Sequence, residues 1–204
     1  MFLLAALGGT VYLWGWHVNV FWIHFWAKPV PILCLILLTG SYKASPYRTL
    51  VRAGLVFSLI GDMFMSETTR FLIAGMGAFA MAHLFYIGAY LTRSRVAYLL
   101  RPLPLMIWFG GLYIWLAPKM GEMLVPVTVY MAVIFAMVWR ALSLVEKPWE
   151  SWALAAFGGA VIFAISDSLI AIQLFRGPFP GDQIWIILTY WSGQWLITRS
   201  IDIG

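Results

Sequence analysis

Apolar runs long enough to cross a bilayer follow one another down almost the whole chain, separated by polar stretches of only a few residues. A backbone in hydrocarbon must satisfy its own hydrogen bonds, so successive runs of this kind read as helices. A soluble fold is excluded by composition. The chain is 63% hydrophobic and 10% charged over 204 residues, against roughly 45 to 50% and 25% in an average soluble domain. The expected fold class is therefore all-α: a polytopic transmembrane helix bundle forming a single integral-membrane domain over residues 1–204.

Hydropathy places spans at about 2 to 22, 28 to 42, 51 to 66, 71 to 92, 98 to 117, 121 to 144, 149 to 175 and 182 to 201, about eight transmembrane helices. The second and third are short for a bilayer that needs roughly 20 residues, which keeps seven or six full spans with a re-entrant piece open. With eight spans the basic residues sort by side. Lys43, Arg48, Arg52, Arg93, Arg95, Arg101, Arg140, Lys147 and Arg199 fall on one, and Lys28, Arg70, Lys119 and Arg176 on the other. The positive-inside rule then puts both termini in the cytoplasm. The net charge of +5 is mainly a topology signal; the basic residues are dispersed at helix ends, which speaks against a nucleic-acid partner.

The first apolar stretch lacks a basic region before it and a convincing cleavage site, and is read as a retained helix. Cys34 is the only cysteine, so it forms no intrachain disulfide and no cysteine metal cage. The sequence has no P-loop, dinucleotide glycine fingerprint, HExxH or GxSxG elbow. His17 and His24 have no acidic partner at a diagnostic spacing, and no metal site is expected there. His83 with two aspartates is a legitimate ligand set and stays open. The 12 tryptophans are read as interfacial and lipid-facing.

Asp62 and Asp167 are the only carboxylates deep inside apolar segments, with no Lys or Arg nearby in their helices. A charge in the membrane costs several kcal/mol, so such residues are functional-site hypotheses. Asp62 lies eight residues before Arg70, about 12 Å of helix, and Asp167 nine before Arg176, about 14 Å. Tyr190, eight after Asp182, falls about 12 Å deep. These three share a layer. Gln194 is one turn deeper on the Tyr190 face. His83 lies about 20 Å below Arg70, with Tyr86 at i+3. Ser58, Gly61 and Asp62 share a face, as do Gly159, Ser166 and Asp167. The small residues, Gly158 included, also suit plain helix packing.

Ser58-Leu59-Ile60-Gly61-Asp62-Met63, Phe79-Ala80-Met81-Ala82-His83-Leu84-Phe85-Tyr86, Ile165-Ser166-Asp167-Ser168 and Thr189-Tyr190 with Gln194 resemble the lysoplasmalogenase family of multi-pass membrane enzymes. Lys28-Pro29 and Tyr130 after Pro126 are similar to further family positions, and the match runs from about residue 28 to 200. The resemblance implies a hydrolase cleaving the vinyl-ether bond of a lysoplasmalogen to a fatty aldehyde and glycerophosphoethanolamine or glycerophosphocholine. It implies Asp62 and Asp167 as the catalytic pair and calls for no cofactor. It is also consistent with a bacterial inner membrane.

Such chemistry needs a proton donor for the vinyl β-carbon, an anion beside the resulting oxocarbenium ion and a base for water. Two carboxylates in low dielectric, one neutral and one ionised, can supply all three. Lys28, Ser58, His83, Tyr86, Tyr130, Ser166, Tyr190 and Gln194 are the expected substrate-binding or orienting residues, with Lys28 at the outer end suited to a lipid phosphate. Arg70 and Arg176 are weaker candidates for that phosphate. The expected partners are a lysophospholipid substrate and membrane lipids; the sequence names no protein partner. The rival reading is a proton-coupled transporter or channel relaying protons through the aspartates, although no internal repeat or paired broken helices are visible.

Overall fold

A computed structural model describes all residues except Met1, Glu67, Lys147, Ile203 and Gly204, and excludes the side chains of Phe2, Thr68, Thr69, Arg70 and Asp202. Of the residues used above, Lys147 and the Arg70 side chain therefore lie outside the described residues. The regular elements among the described residues are all helices, without strands. Four segments are long and apolar enough to cross a membrane: Phe21–Thr39, Phe71–Arg93, Gly121–Leu142 and Ser151–Arg176.

The first helix, α1 (Phe2–His17), stops earlier than hydropathy suggests. Asn19 takes a left-handed φ of 55° and Val20 is extended, which breaks the helix although the residues around it remain apolar. The chain re-enters at α2 (Phe21–Ala27) and continues into α3 (Val30–Thr39). The second expected span thus begins at Phe21 rather than 28. The α2–α3 break falls at Lys28-Pro29, where the proline nitrogen cannot donate into the preceding turn.

The third expected span also starts earlier than residue 51. Helix α4 (Pro46–Met65) opens at Pro46, and the Ser45 Oγ accepts from the Arg48 N–H at 3.1 Å. Arg48 and Arg52 depress hydropathy there, but a capped start with proline in the first turn holds the helix. Helix α5 (Thr68–Arg93) has a kink at Phe71. Helix α6 (Leu103–Leu116) is shorter than expected because the chain turns at Pro102, and two single-turn 3-10 segments then lead into α7 (Leu124–Leu142). Helices α8 (Ser151–Arg176) and α9 (Asp182–Asp202) match their expected positions closely.

Two helix pairs form the frame, α4 with α5 and α8 with α9. Between apolar helices in lipid, close packing must supply the attraction, so glycines at the crossings matter. A Cβ on Gly61 would come within 2.7 Å of the Phe79 ring, and one on Gly54 would overlap Tyr86. A Cβ on Gly159 would lie 2.8 Å from backbone atoms of Gly193 and Ile197. The packing expectation thus holds for Gly61 and Gly159. Gly158 meets only Leu196, at 3.9 Å. Around the frame, α3 packs on α4 and α9, α7 packs on α5 and α8, and α6 packs on α7 and α8. Many large apolar side chains, including Trp14, Trp22, Trp26, Trp149 and Trp185, face outward.

Candidate active site

Because α4 and α5 meet ring against glycine at Gly61, the next residue, Asp62, is carried into the interior, where it is 1% exposed. Both of its oxygens are engaged. The Tyr190 hydroxyl of α9 donates to Oδ2 at 2.8 Å, and the Lys28 ammonium lies 3.7 Å from Oδ1. Lys28 comes from the α2–α3 break and is itself only 15% exposed. The expectation that Lys28 sits at the outer end of a helix is corrected here. Its span starts seven residues earlier, so its ammonium lies at the depth of Asp62.

Asp167 stands on α8 with a different set of neighbours. The Tyr130 hydroxyl of α7 donates to Oδ2 at 2.6 Å, and the His83 Nε2 of α5 lies 3.3 Å from the same oxygen and 3.1 Å from the Tyr130 hydroxyl. His83 is fully buried, and its Nδ1 has no hydrogen-bond partner among the described residues. A bare ring nitrogen is cheaper to bury unpaired than an N–H, so the network assigns the proton to Nε2, which donates to the carboxylate. Phe163 packs edge-on to the imidazole at 4.8 Å between ring centres and holds it in place. Among the described residues nothing bonds Asp167 Oδ1, and no hydrogen bond joins the two carboxylates.

Both acids border one cavity of about 80 Å³, whose polar wall also carries Lys28, Ser166, Gln173 and Tyr190. A second cavity of about 60 Å³ adjoins it between α5, α6, α7 and α8, lined chiefly by apolar side chains such as Met76, Phe109, Leu112 and Met131. Asp167, Met65, Phe79, Ile170 and Leu174 border both spaces. Asp62 borders only the first.

Of the residues expected in the site, Lys28, Asp62, Ser166, Asp167 and Tyr190 reach the polar cavity, and Tyr130 reaches the apolar one. His83 stands behind Asp167 and Tyr130. Ser58, Tyr86 and Gln194 are on neither wall. Instead, the Tyr86 hydroxyl donates to Gln194 Oε1 at 2.6 Å, and Gln194 Nε2 donates to Ser58 Oγ at 2.8 Å. This buried chain links α4, α5 and α9.

Gln173 and Gln183 line the polar cavity without having been expected. Both were detectable by helical spacing: Gln173 is seven residues after Ser166, and Gln183 seven before Tyr190, each on the same face. Gln173 Nε2 donates to Asp182 Oδ2 at 2.7 Å, and the Tyr12 hydroxyl lies 3.4 Å from Gln183 Oε1. Among the described residues, no three His, Cys, Asp or Glu side chains form a metal-ligand group. His24 packs edge-on against Phe21 and Tyr12, while His17 is exposed.

The YhhN family profile matches residues 23–201. The chain belongs to the YhhN family. Its relatives include lysoplasmalogenase TMEM86A of Bos taurus, 36% identical over 199 residues that cover 92% of this chain and 82% of the relative. Lysoplasmalogenase TMEM86B of Homo sapiens is 32% identical over 191 residues, covering 92% and 79%. The membrane protein YhhN of Escherichia coli O157:H7 is 30% identical over 187 residues, covering 88% of each chain. No solved structure matches this chain significantly. Together with the four apolar helices, the family places the chain among integral membrane proteins.

Proposed function

We propose that this chain is a membrane hydrolase that cleaves the vinyl-ether bond of lysoplasmalogens, releasing a fatty aldehyde and glycerophosphoethanolamine or glycerophosphocholine, with Asp62 and Asp167 as its acid and base. The observation that carries the reading is the pair of aspartates, one buried and one nearly so, on the wall of one cavity that shares lining residues with an apolar one. The names of the TMEM86A and TMEM86B relatives support the same substrate class.

Vinyl-ether hydrolysis begins with proton transfer to the β-carbon. Water then adds to the oxocarbenium carbon, and the hemiacetal collapses. Neither a nucleophilic side chain nor a metal is required, and a positioned acid or base contributes typically about 10²- to 10⁴-fold in rate. In this reading Tyr190 and Tyr130 orient the two carboxylates, and His83 fixes Asp167 and Tyr130. Ser166 lines the polar wall, while Ser58, Tyr86 and Gln194 brace the helices behind Asp62. The site sits in a single membrane domain of eight spans, in a bacterial inner membrane with both termini cytoplasmic, so that the cavity opens toward the outer leaflet.

The test is direct. Purified protein in detergent is incubated with vinyl-ether, ester and saturated-ether lysolipids of equal chain length, and products are identified by mass spectrometry. Aldehyde from the vinyl-ether lipid alone is expected. Fatty acid from the ester would redefine the enzyme as a lysophospholipase, and solute transport without any lipid product would favour a transporter.

A further inference from the structure

The two aspartates differ in ways that fix a direction for the substrate, if substrate there is of the class proposed above, on which this inference rests. Asp62 has both oxygens occupied, one beside the Lys28 ammonium, and borders only the polar cavity. Asp167 receives both of its neighbours on Oδ2, leaves Oδ1 unbonded among the described residues, and borders the polar and apolar cavities alike. A vinyl ether has the same polarity: its β-carbon lies on the alkyl side, and its oxygen-bearing carbon on the glycerol side.

We propose that the alkenyl chain lies in the apolar cavity between α5, α6, α7 and α8 with the glycerol end against Gln173 and Gln183, so that Asp167 is the proton donor and Asp62 the anion. Asp167 Oδ1 then delivers its proton to the β-carbon, and the C=C electron pair forms the new C–H bond. The adjoining carbon becomes an oxocarbenium centre facing the Asp62 carboxylate. Water adds to that carbon and passes a proton to Asp62. The hemiacetal hydroxyl returns a proton to Asp167, while Asp62 protonates the departing glycerol oxygen as its bond to carbon breaks. Aldehyde and glycerol hydroxyl leave, and both carboxyl groups regain their starting states.

Lys28 acts through Asp62 as a positioning residue in this scheme, its ammonium lying 3.7 Å from Asp62 Oδ1. The other polar and charged groups that border this cavity with Asp62 are Ser166, Asp167 and Gln173 of α8 and Gln183 and Tyr190 of α9; among the described residues on that wall, Lys28 is the one cation. Met65, Met76 and Met131 on the apolar wall are adaptable side chains that can repack around an entering chain.

Three measurements on the full-length protein test the assignment. With vinyl-ether lysolipids of graded alkenyl length, Ala171→Leu, on the apolar wall, should lower the ratio of kcat/KM for the longest chain to that for the shortest about tenfold. Leu112→Ala, on the same wall, should move the ratio the other way. In D₂O, the wild type should place deuterium at aldehyde C2 in a single configuration, trapped by reduction to the alcohol. Residual turnover by Asp62→Asn should keep that configuration, and Asp167→Asn should lose it. Lys28→Met should lower kcat about tenfold or more with little change in KM, and Lys28→Arg should restore most of it. A chain-length ratio unmoved by both wall variants overturns the orientation. Retained configuration in Asp167→Asn overturns the donor, and a KM-only effect at Lys28 makes it a headgroup ligand instead. If the wild type forms no aldehyde at all, the functional reading fails, and not merely its direction.

Discussion

Both ends of the bundle bury charge, but they use it differently. At the end away from the cavity, guanidinium groups are matched to backbone. Arg140, 7% exposed, donates to the carbonyls of Val96 and Ser94 at 2.7 and 2.6 Å. Arg48 donates to Tyr42 O at 2.6 Å, and Arg101 to Val145 O at 2.8 Å. These contacts tie down loops by satisfying carbonyls that have no helical partner. At the cavity end, Asp62, Asp167 and Lys28 are held by side chains and still border free volume. The guanidinium groups close off backbone; the aspartates and Lys28 line the candidate site.

The contrast predicts that substitutions at one end cost activity and at the other cost stability. The largest effect is expected for Asp62→Asn and Asp167→Asn, each lowering turnover about 10²- to 10⁴-fold with the helical fold retained. Circular dichroism alongside the lysolipid assay checks this, and near-wild-type turnover would remove that residue from the mechanism. Next is Arg140→Met. It leaves the Val96 and Ser94 carbonyls without their charged donor and should destabilise the protein by about 3 kcal/mol, with specific activity per folded molecule preserved. Thermal unfolding in detergent measures it.

A smaller effect is expected at Tyr130→Phe, which removes one hydrogen bond to Asp167 Oδ2 and should lower kcat about tenfold. Loss of fold without loss of kcat would move Tyr130 to the structural side of the contrast. The smallest pair concerns the frame itself. Gly159→Ala drives a methyl into the α9 backbone and should cost about 1 to 3 kcal/mol. Gly77→Ala, on α5 with no neighbouring atom within 4 Å, should be neutral or stabilising by up to about 1 kcal/mol. Equal melting shifts for the two would show that the α8–α9 crossing is looser than its contacts indicate.

How much of this was legible in the chain depends on the residue. Asp62, Asp167 and Tyr190 were placed in one layer by counting turns from the loops, because helix rise is constant along a span. Hydropathy misplaced Lys28, because a single left-handed residue at Asn19 ends α1 where hydropathy runs on unbroken, and that break shifts the start of the next span. Tyr86 and Gln194 were at compatible depths, but depth does not tell which way a side chain turns around its helix axis. They face each other and Ser58 rather than the cavity.

The sequence alone determined the material and narrowed the candidates: apolar helices suited to a membrane, and two carboxylates set deep within them. Both follow from transfer energetics, which act residue by residue and need no knowledge of neighbours. Only the tertiary structure decided that Lys28 faces Asp62, that His83 and Tyr130 converge on one oxygen of Asp167, and that a polar and an apolar cavity meet at Asp167. Those relations depend on helix rotation, kinks and glycine-mediated crossings, which are set by packing between segments far apart in the chain.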